Sequence, residues 1–380
     1  METLAVHAGL GPDPHTGAVV EPITLAVSFE RDPDGGHRRG YHYGSAGNPN
    51  RMSLEKGLAA LEGGVGAVAY ASGSAAIAAV LGTVPAGDHI VIPDDVFQGT
   101  VRLLTESLAR RGVTFSTADM TDLRAVRSSL RPRTRLIWTE GLSNPLLKVT
   151  DLEAIAAIAH DHGAVCAVDN TFVTPVFQRP LTYGVDYVVH AATKHMSGHA
   201  DVLGGAVITA EPERLEALRT LQWVEGAVPS PLDCWLIRRG LKTLPLRIRA
   251  QTATAQTIAE HLLTHPAVTA VHYPGLDCHP QHELATRILG GFGSIVSFQV
   301  RGGPQAAVAL AANVHLFTRA TSFGATESLI QHQASAPTHG PDSPVPQNLL
   351  RLSIGLEHAT DLIADLDQAL AQLESTVGTR

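Results

Sequence analysis

Short apolar runs that alternate with helical stretches constrain this chain more than any other feature of its sequence. Five runs have the length and composition of buried strands, at residues 89–92, 135–139, 164–168, 187–190 and 205–208, and helical patterns such as residues 152–159 separate them. This alternation is typical of a layered α/β domain with a mostly parallel sheet and helices on both faces. Such sheets bind ligands at the carboxyl ends of their strands, so the polar residues after each run are the first candidates for a site.

The segments on either side of this alternating region differ from it. Residues 1–55 are irregular and rich in Gly, Pro and Asp, and so long an irregular arm is often functional or contacts a neighbouring subunit. The alternating region predicts a large domain over residues 56–240. A long helical pattern at 245–263 and a strand-like stretch at 294–300 predict a smaller α+β domain over residues 241–380.

Composition excludes several classes of partner. The formal net charge of -8 at pH 7 argues against nucleic acid and anionic membranes. No apolar run approaches the roughly 20 residues that span a bilayer, and the amino terminus lacks the pattern of a secretory signal. Three widely spaced cysteines favour a reducing cytoplasm over a disulfide framework. The histidines are scattered, and the Cys278–His282 loop more resembles a surface turn than a ligand cluster, so no metal site is expected.

Two successive predicted strands end in an acid and a lysine. Asp169 directly follows the run at 164–168, and Lys194 follows the run at 187–190. Alone, each could be a solvated strand-end residue or a turn. Together they match the needs of pyridoxal phosphate, which uses a lysine to form an imine and a carboxylate to keep its ring nitrogen protonated. The Ser72-Gly73-Ser74 turn before an alanine-rich helix adds a candidate phosphate cup.

The motifs around these residues resemble the cystathionine γ-synthase/γ-lyase family, the Cys/Met-metabolism group of fold-type I pyridoxal phosphate enzymes. The likeness is densest at residues 168–205 and extends over nearly the whole chain, through residues 143–146, 240–247 and 351–353. It implies the fold-type I architecture, a large domain with a mostly parallel sheet and a smaller carboxyl-terminal α+β domain. It also implies a homotetramer, a dimer of dimers with shared active sites.

The resemblance implies a set of residues around the cofactor. Lys194 would carry pyridoxal phosphate as a Schiff base and move protons, and Asp169 would pair with the ring nitrogen. Phe97 would stack on the ring, in the catalytic position where the family has a tyrosine. The other ligands would be Asn144 on the ring hydroxyl, Gly73, Ser74 and Thr193 on the phosphate, and Tyr43 on the phosphate in a neighbouring subunit.

The resemblance also implies how an amino-acid substrate would be held. Arg351 would grip the α-carboxylate with its forked guanidinium, helped by Ser322, with Thr321 beside them. Thr321 stands where γ-acting members often have a glutamate, and the loss of that acid weakens the case for cystathionine, whose distal ammonium would favour a carboxylate.

Three further positions depart from the family pattern. Phe97 can stack but cannot transfer a proton. Ser45 replaces an arginine and Ala191 replaces a serine, and each change removes a phosphate contact.

The main interpretation is a carbon–sulfur lyase that works by β- or γ-elimination and yields a 2-oxo acid, ammonia and a thiol. The alternative is γ-replacement, in which a thiol adds to an activated homoserine as in cystathionine γ-synthase or O-acylhomoserine sulfhydrylase. Both would use the same residues. A third possibility, from another class, is a weakly active or non-catalytic relative that acts by binding.

Overall fold

Two β-sheets organise the chain, and the computed structural model describes residues 1–335 and 345–377. The first sheet has seven strands: β1 (Gly66–Tyr70), β2 (His89–Pro93), β3 (Thr114–Ala118), β4 (Thr134–Glu140), β5 (Val165–Asp169), β6 (Tyr187–His190) and β7 (Gly205–Thr209). The second has five: β8 (Val268–His272), β9 (Ile295–Val300), β10 (Thr318–Arg319), β11 (Leu329–His332) and β12 (Leu349–Ser353).

The seven-stranded sheet confirms the mostly parallel α/β prediction. Its strand order is β1-β7-β6-β5-β4-β2-β3, and the pairs from β6 through β5, β4 and β2 to β3 are all parallel. Strand β7 runs antiparallel to both of its neighbours. All five predicted strands are present, with ends within a residue of those expected. The list of predicted strands omitted β1, which is built mainly of small residues, and β3, which is partly exposed.

Helices connect and cover the strands. They are α1 (Glu2–His7), α2 (Pro49–Glu62), α3 (Gly73–Gly82), α4 (Gln98–Arg102), α5 (Leu123–Ser129), α6 (Leu152–Asp161), α7 (Thr174–Phe177), α8 (Pro212–Glu225), α9 (Pro231–Leu241), α10 (Leu244–Thr264), α11 (His282–Ile288), α12 (Gly303–Asn313) and α13 (Ala359–Val377). Helix α2 shows why such segments begin and end where they do. Asn48 caps its first turn, Pro49 supplies a favourable first residue, and Gly63 ends it at a φ of 78°, in the left-handed region that glycine adopts without strain. None of the described helices is long and apolar enough to cross a membrane.

Alternate residues of each strand pack into different cores. In β4, Ile137 joins one hydrophobic cluster and Trp138 joins the cluster on the opposite face of the sheet. Helix α10 connects the first of these cores to the core of the five-stranded sheet, because Ile248 packs in the one and Leu262 in the other. The proposed boundary at residue 240 therefore falls just before a helix that belongs to both cores, and it stays a prediction.

The amino-terminal arm is anchored to helices α2 and α9 at several points, among them the bonds from Asn50 Nδ2 to the Pro22 carbonyl and from Trp235 Nε1 to the Glu21 carbonyl. Arg238 donates hydrogen bonds to the carbonyls of Ala5 (3.1 Å) and Ala8 (2.5 Å), which fixes α1 against α9. Beyond α1 the arm exposes apolar side chains, with Val19 82% and Leu25 69% accessible. An apolar surface of this kind is typical of a segment that packs against another chain.

Candidate active site

Residues from both sheets enclose a pocket of about 290 Å³ at the carboxyl ends of β4, β5 and β6. Ten of the eleven predicted site residues line it: Gly73, Ser74, Phe97, Asn144, Asp169, Thr193, Lys194, Thr321, Ser322 and Arg351. The eleventh, Tyr43, lies half exposed on the arm outside the pocket lining. Its expected contact with a neighbouring subunit stays a prediction.

The pocket has two sides of different origin. We call the side formed by strand ends and helix starts of the seven-stranded sheet the floor; it comprises Gly73, Phe97, Glu140, Asp169 and Lys194. We call the side formed by the β10–β11 connection and by strands β11 and β12 the wall; it comprises Thr321, Ser322, Gln331 and Arg351.

Lys194 is the lysine, among the four in the chain, that lines this pocket. Its Nζ donates a hydrogen bond to Ser322 Oγ at 2.7 Å and lies 4.9 Å from the centroid of the Phe323 ring. Desolvation and the neighbouring Arg351 cation lower the pKa of Lys194 to about 8, against the opposing pull of Asp169. The amine is therefore substantially neutral near pH 8, as a nucleophile requires.

Asp169 ends β5 and is held by one neighbouring residue. Thr171 donates both its backbone N–H (3.0 Å) and its hydroxyl to Asp169 Oδ1, and the same hydroxyl accepts from the backbone N–H of Ala191 at 2.8 Å. Thr171 thereby ties the end of β5 to the end of β6. Burial nevertheless raises the pKa of Asp169, because the enclosed carboxylate has little compensating positive charge.

The start of α3 forms the predicted anion cup. Ser72 accepts from the N–H of Ala75 at 3.1 Å, while Gly73 and Ser74, the first two helical residues, line the pocket. A Cβ on Gly73 would come within 2.7 Å of the Ala191 Cβ, so only glycine allows the helix start to approach β6 this closely. Helix starts of this kind bind phosphate through backbone N–H groups.

Thr193 lies beside this cup with its hydroxyl already engaged. It donates to the Gly204 carbonyl (3.2 Å) and accepts from the Gly204 N–H (3.0 Å). A phosphate contact from Thr193 would replace its donation to that carbonyl.

Arg351 organises the wall. Its Nη1 donates to Asn144 Oδ1 (2.9 Å), and its Nη2 donates to the Ser322 carbonyl (3.0 Å) and to Gln331 Oε1 (2.9 Å). Its Nε has no hydrogen-bond partner within the described part of the chain. Ser322 holds a φ of 124°, which is strained for a non-glycine residue, and contacts from Lys194 and Arg351 stabilise it there.

Sequence reasoning missed several lining residues. Glu140 ends β4, directly after the predicted strand at 135–139, so the rule that led to Asp169 should also have found it. Gln331 is the cross-strand partner of Arg351 in the β11–β12 pair, a relation that depends on strand register and leaves no local signal. Gln333 and Phe323 also line the pocket.

The residues present fit pyridoxal phosphate. A protonated ring nitrogen would supply the positive charge that Asp169 lacks, and the open helix start at Gly73 suits a phosphate dianion. Lys194 offers, in the same pocket, an amine whose pKa is lowered to about 8. These are properties of the donor set itself.

Comparison with known proteins agrees with this fit. A model of the family described as Cys/Met metabolism PLP-dependent enzyme matches residues 2–371. Cystathionine γ-synthase of Mycobacterium bovis is 46% identical over 372 residues, which cover 97% of this chain and 96% of that protein. Cystathionine γ-lyase of Bacillus subtilis is 43% identical, with 98% of this chain and 99% of that protein covered.

A solved structure extends the likeness to three dimensions. Cystathionine γ-lyase from Lactobacillus plantarum, complexed with L-serine, superposes with a TM-score of 0.94 at 40% identity, covering 98% of this chain and 99% of that one. The predicted family, fold, cofactor and enzyme class, a carbon–sulfur lyase or γ-replacement transferase, are confirmed. This chain belongs to the Cys/Met-metabolism family of pyridoxal phosphate-dependent enzymes.

Proposed function

We propose that this enzyme is a carbon–sulfur lyase that eliminates a thiol from the β or γ carbon of a sulfur amino acid, giving a 2-oxo acid and ammonia. The observation that carries the proposal is the largely buried Lys194 amine, which lines the pocket with Asp169 and Arg351, bonds to Ser322 Oγ and has its pKa lowered to about 8. Such an amine can both accept and return a proton near neutral pH.

Floor residues would hold the cofactor. Asp169 would pair with the ring nitrogen, and the helix start at Gly73 and Ser74 would bind the phosphate, with Thr193 beside it. When bound, pyridoxal phosphate supplies an electron sink that stabilises negative charge on the carbon next to the substrate amino group. Phe97 would cover one face of the ring.

The wall would hold the substrate. The cationic Arg351 is buried, and its guanidinium is fixed in place by the Asn144, Ser322 and Gln331 oxygens, so it presents a fixed positive charge to an α-carboxylate. Asn144 uses its amide oxygen on Arg351, which leaves its NH₂ group for the cofactor hydroxyl. Thr321 borders the space for the distal part of the substrate.

Proton transfer would fall mainly on Lys194. Its Nζ would take the proton from the α carbon and deliver a proton to the departing sulfur. Phe97 has no hydroxyl to share that task. Ser322 Oγ, 2.7 Å from Nζ, would steady the amine during both transfers.

The second candidate is γ-replacement, and a specific observation favours it. The mycobacterial cystathionine γ-synthases are 46% identical to this chain, slightly more than the lyases at 41–43%. In that reaction the same residues would act, and an incoming thiol would take the place of the departing group.

Product analysis separates the two reactions. The enzyme would be incubated with cystathionine alone and then with an O-acylhomoserine plus cysteine, with a Lys194→Ala variant as the blank. Formation of 2-oxo acid and thiol from cystathionine supports elimination. Thioether formation from the acyl ester, without oxo acid from cystathionine, would replace the lyase proposal with γ-replacement.

We further propose a homotetramer, a dimer of dimers in which Tyr43 of each arm reaches the neighbouring pocket. The exposed apolar side chains of the arm, including Val19 and Leu25, support a surface that another chain covers. Light scattering of the purified protein should give the mass of four chains. A monomer would contradict the proposal.

We also propose a cytoplasmic location. Cys166, Cys234 and Cys278 all carry free thiols, and the first two are buried, which suits a reducing compartment. Fractionation of the source cells would test the location.

We further propose that the chain divides into an arm at residues 1–55, a large domain at 56–240 and a smaller domain at 241–380. Limited proteolysis near residue 240 would test the second boundary.

A further inference from the structure

Glu140 is a buried acid in the pocket that the proposed reaction does not use. It is the last residue of β4 and lies opposite Asp169 in the parallel β4–β5 pair. Only 6% of its surface is accessible, yet it lines the pocket beside the residues of the floor. A carboxyl group in such a place needs a physical reason, because burial without strong partners is costly.

Glu140 makes one side-chain hydrogen bond. Its Oε1 accepts from the backbone N–H of Phe97 at 2.9 Å, and its other oxygen has no partner among residues 1–335 and 345–377. Burial, Asp169 and Asp95 together raise the pKa of Glu140 well above its usual value. A second negative charge beside Asp169 is unfavourable in this buried position, which accounts for the direction of the pKa shift.

Phe97 depends on that bond for its position. The residue precedes α4 without a side-chain cap, and its ring is 40% accessible and leans on the backbone of Gly99. A phenylalanine ring has no polar atom with which to fix itself. The bond from its N–H to Glu140 thus ties the Phe97 backbone to the end of β4.

We propose that Glu140 is a positioning residue, whose carboxyl oxygen holds the Phe97 backbone so that the ring covers the bound cofactor. The inference rests on the proposed function, since it assumes that Phe97 stacks on the pyridoxal ring. It assigns Glu140 an effect through Phe97, with no contact to the reacting atoms.

A double-mutant cycle on cofactor affinity tests this coupling. The dissociation constant of pyridoxal phosphate would be measured by equilibrium dialysis of the full-length enzyme carrying Glu140→Leu, Phe97→Ala or both. Each single change should weaken binding about tenfold, the size of one lost buried contact. The double variant should lose about the same tenfold, because the second change removes nothing further.

Two other variants keep the test decisive. Glu140→Gln retains an acceptor oxygen and should bind the cofactor within about twofold of the wild type. Glu55 is a control outside the pocket lining: it is a largely buried acid that accepts from a backbone N–H, that of Ala69 at 3.0 Å, with Arg51 3.9 Å away. Glu55→Leu should lower the thermal unfolding temperature and leave cofactor affinity unchanged.

The outcomes distinguish the two proposals. If Phe97→Ala weakens binding and the double variant loses about a hundredfold, the changes are additive and the inference is overturned while the proposed function stands. If Glu140→Leu does not fold, a loss of about tenfold in Glu140→Gln overturns it instead. If Phe97→Ala has no effect on affinity, the proposed stacking role fails and the inference fails with it.

Discussion

The floor and the wall of the pocket are built on different principles. The floor comes from parallel strands that end together, so residues distant in sequence, such as Asp169 and Lys194, meet at one edge of one sheet. The wall comes from an antiparallel pair, where Arg351 and Gln331 face each other across strands. In the proposed function, the floor holds the cofactor and the wall selects the substrate.

This difference explains why the pocket identifies the cofactor more narrowly than it identifies the substrate. The roles proposed for Asp169, Lys194 and Gly73 follow from the chemistry of one cofactor, whichever amino acid is processed. The side chains that bond to Arg351, Asn144 and Gln331, are neutral. They are compatible with several kinds of distal group on the substrate. Variants of the two sides should therefore fail in different ways.

The largest effect is expected from the floor. Lys194→Ala removes the amine that we propose holds the cofactor and moves the proton, so turnover should fall about a thousandfold or more. The visible absorbance of the lysine-bound cofactor should vanish at the same time. Lys56→Ala, which removes an exposed lysine, is the matched control and should retain both. Near-normal turnover of the Lys194→Ala enzyme would show that the floor does not supply the catalytic lysine, and would contradict the roles proposed for floor and wall.

The pH dependence of Lys194 labelling reports how the floor and the wall together set the pKa of this amine. Burial and then Arg351 of the wall lower the pKa of Lys194, and Asp169 of the floor raises it, with a net value of about 8. After removal of the cofactor, labelling by an amine-specific reagent should increase as pH rises, with a midpoint near 8. At neutral pH Lys194 should react about 300-fold faster than an ordinary lysine, because more of it is neutral.

Lys148 provides the internal contrast for that experiment. It lies near Asp94, Asp95 and Asp119, and hydrogen bonding and these carboxylates raise its pKa despite partial burial. Its labelling should begin only at higher pH. Equal midpoints for the two lysines would show that the pocket does not tune Lys194.

A wall variant should impair substrate binding while sparing the cofactor. Arg351→Lys keeps the charge but loses the fork that contacts Asn144, Ser322 and Gln331, so kcat/KM should fall about 100-fold, mainly through KM. The cofactor absorbance should stay normal. Arg319→Lys, on the exposed strand β10, serves as control. Loss of the cofactor absorbance in Arg351→Lys would show that Arg351 is needed to hold the cofactor, which is the role proposed for the floor.

The smallest effect is expected from restoring a hydroxyl to the floor. If Lys194 carries the proton traffic, Phe97→Tyr should change kcat by less than about threefold, far below the ~100-fold of a needed general acid. Steady-state kinetics with the preferred substrate would measure it. An increase of ~100-fold would show that the missing hydroxyl limits this enzyme.

Sequence reasoning succeeded where the site follows strand ends and failed where it depends on register. Asp169, Lys194 and Gly73 each follow a recognisable run, so their convergence could be predicted from the α/β pattern. The Arg351–Gln331 pair could not, because β11 and β12 are joined through a segment whose length reveals nothing of their pairing. Glu140 was within reach of the strand-end rule and was overlooked.

The sequence also could not predict which side chains form hydrogen bonds with each other. Asn144 was expected on the cofactor alone, yet its amide oxygen binds Arg351. Thr193 was expected on the phosphate, yet its hydroxyl contacts Gly204. The first contact depends on packing between the two sheets and the second on the conformation of the β6–β7 connection, and no local sequence pattern encodes either.

The central claim is that the cofactor is attached to Lys194 of the floor, and peptide mapping tests it most directly. Borohydride reduction of the purified enzyme would fix the cofactor to the lysine it occupies, and mass spectrometry of a digest would find the modified peptide. The account predicts a pyridoxyl group on Lys194. Its appearance on Lys56, Lys148 or Lys242 instead, or on no lysine at all, would contradict the account.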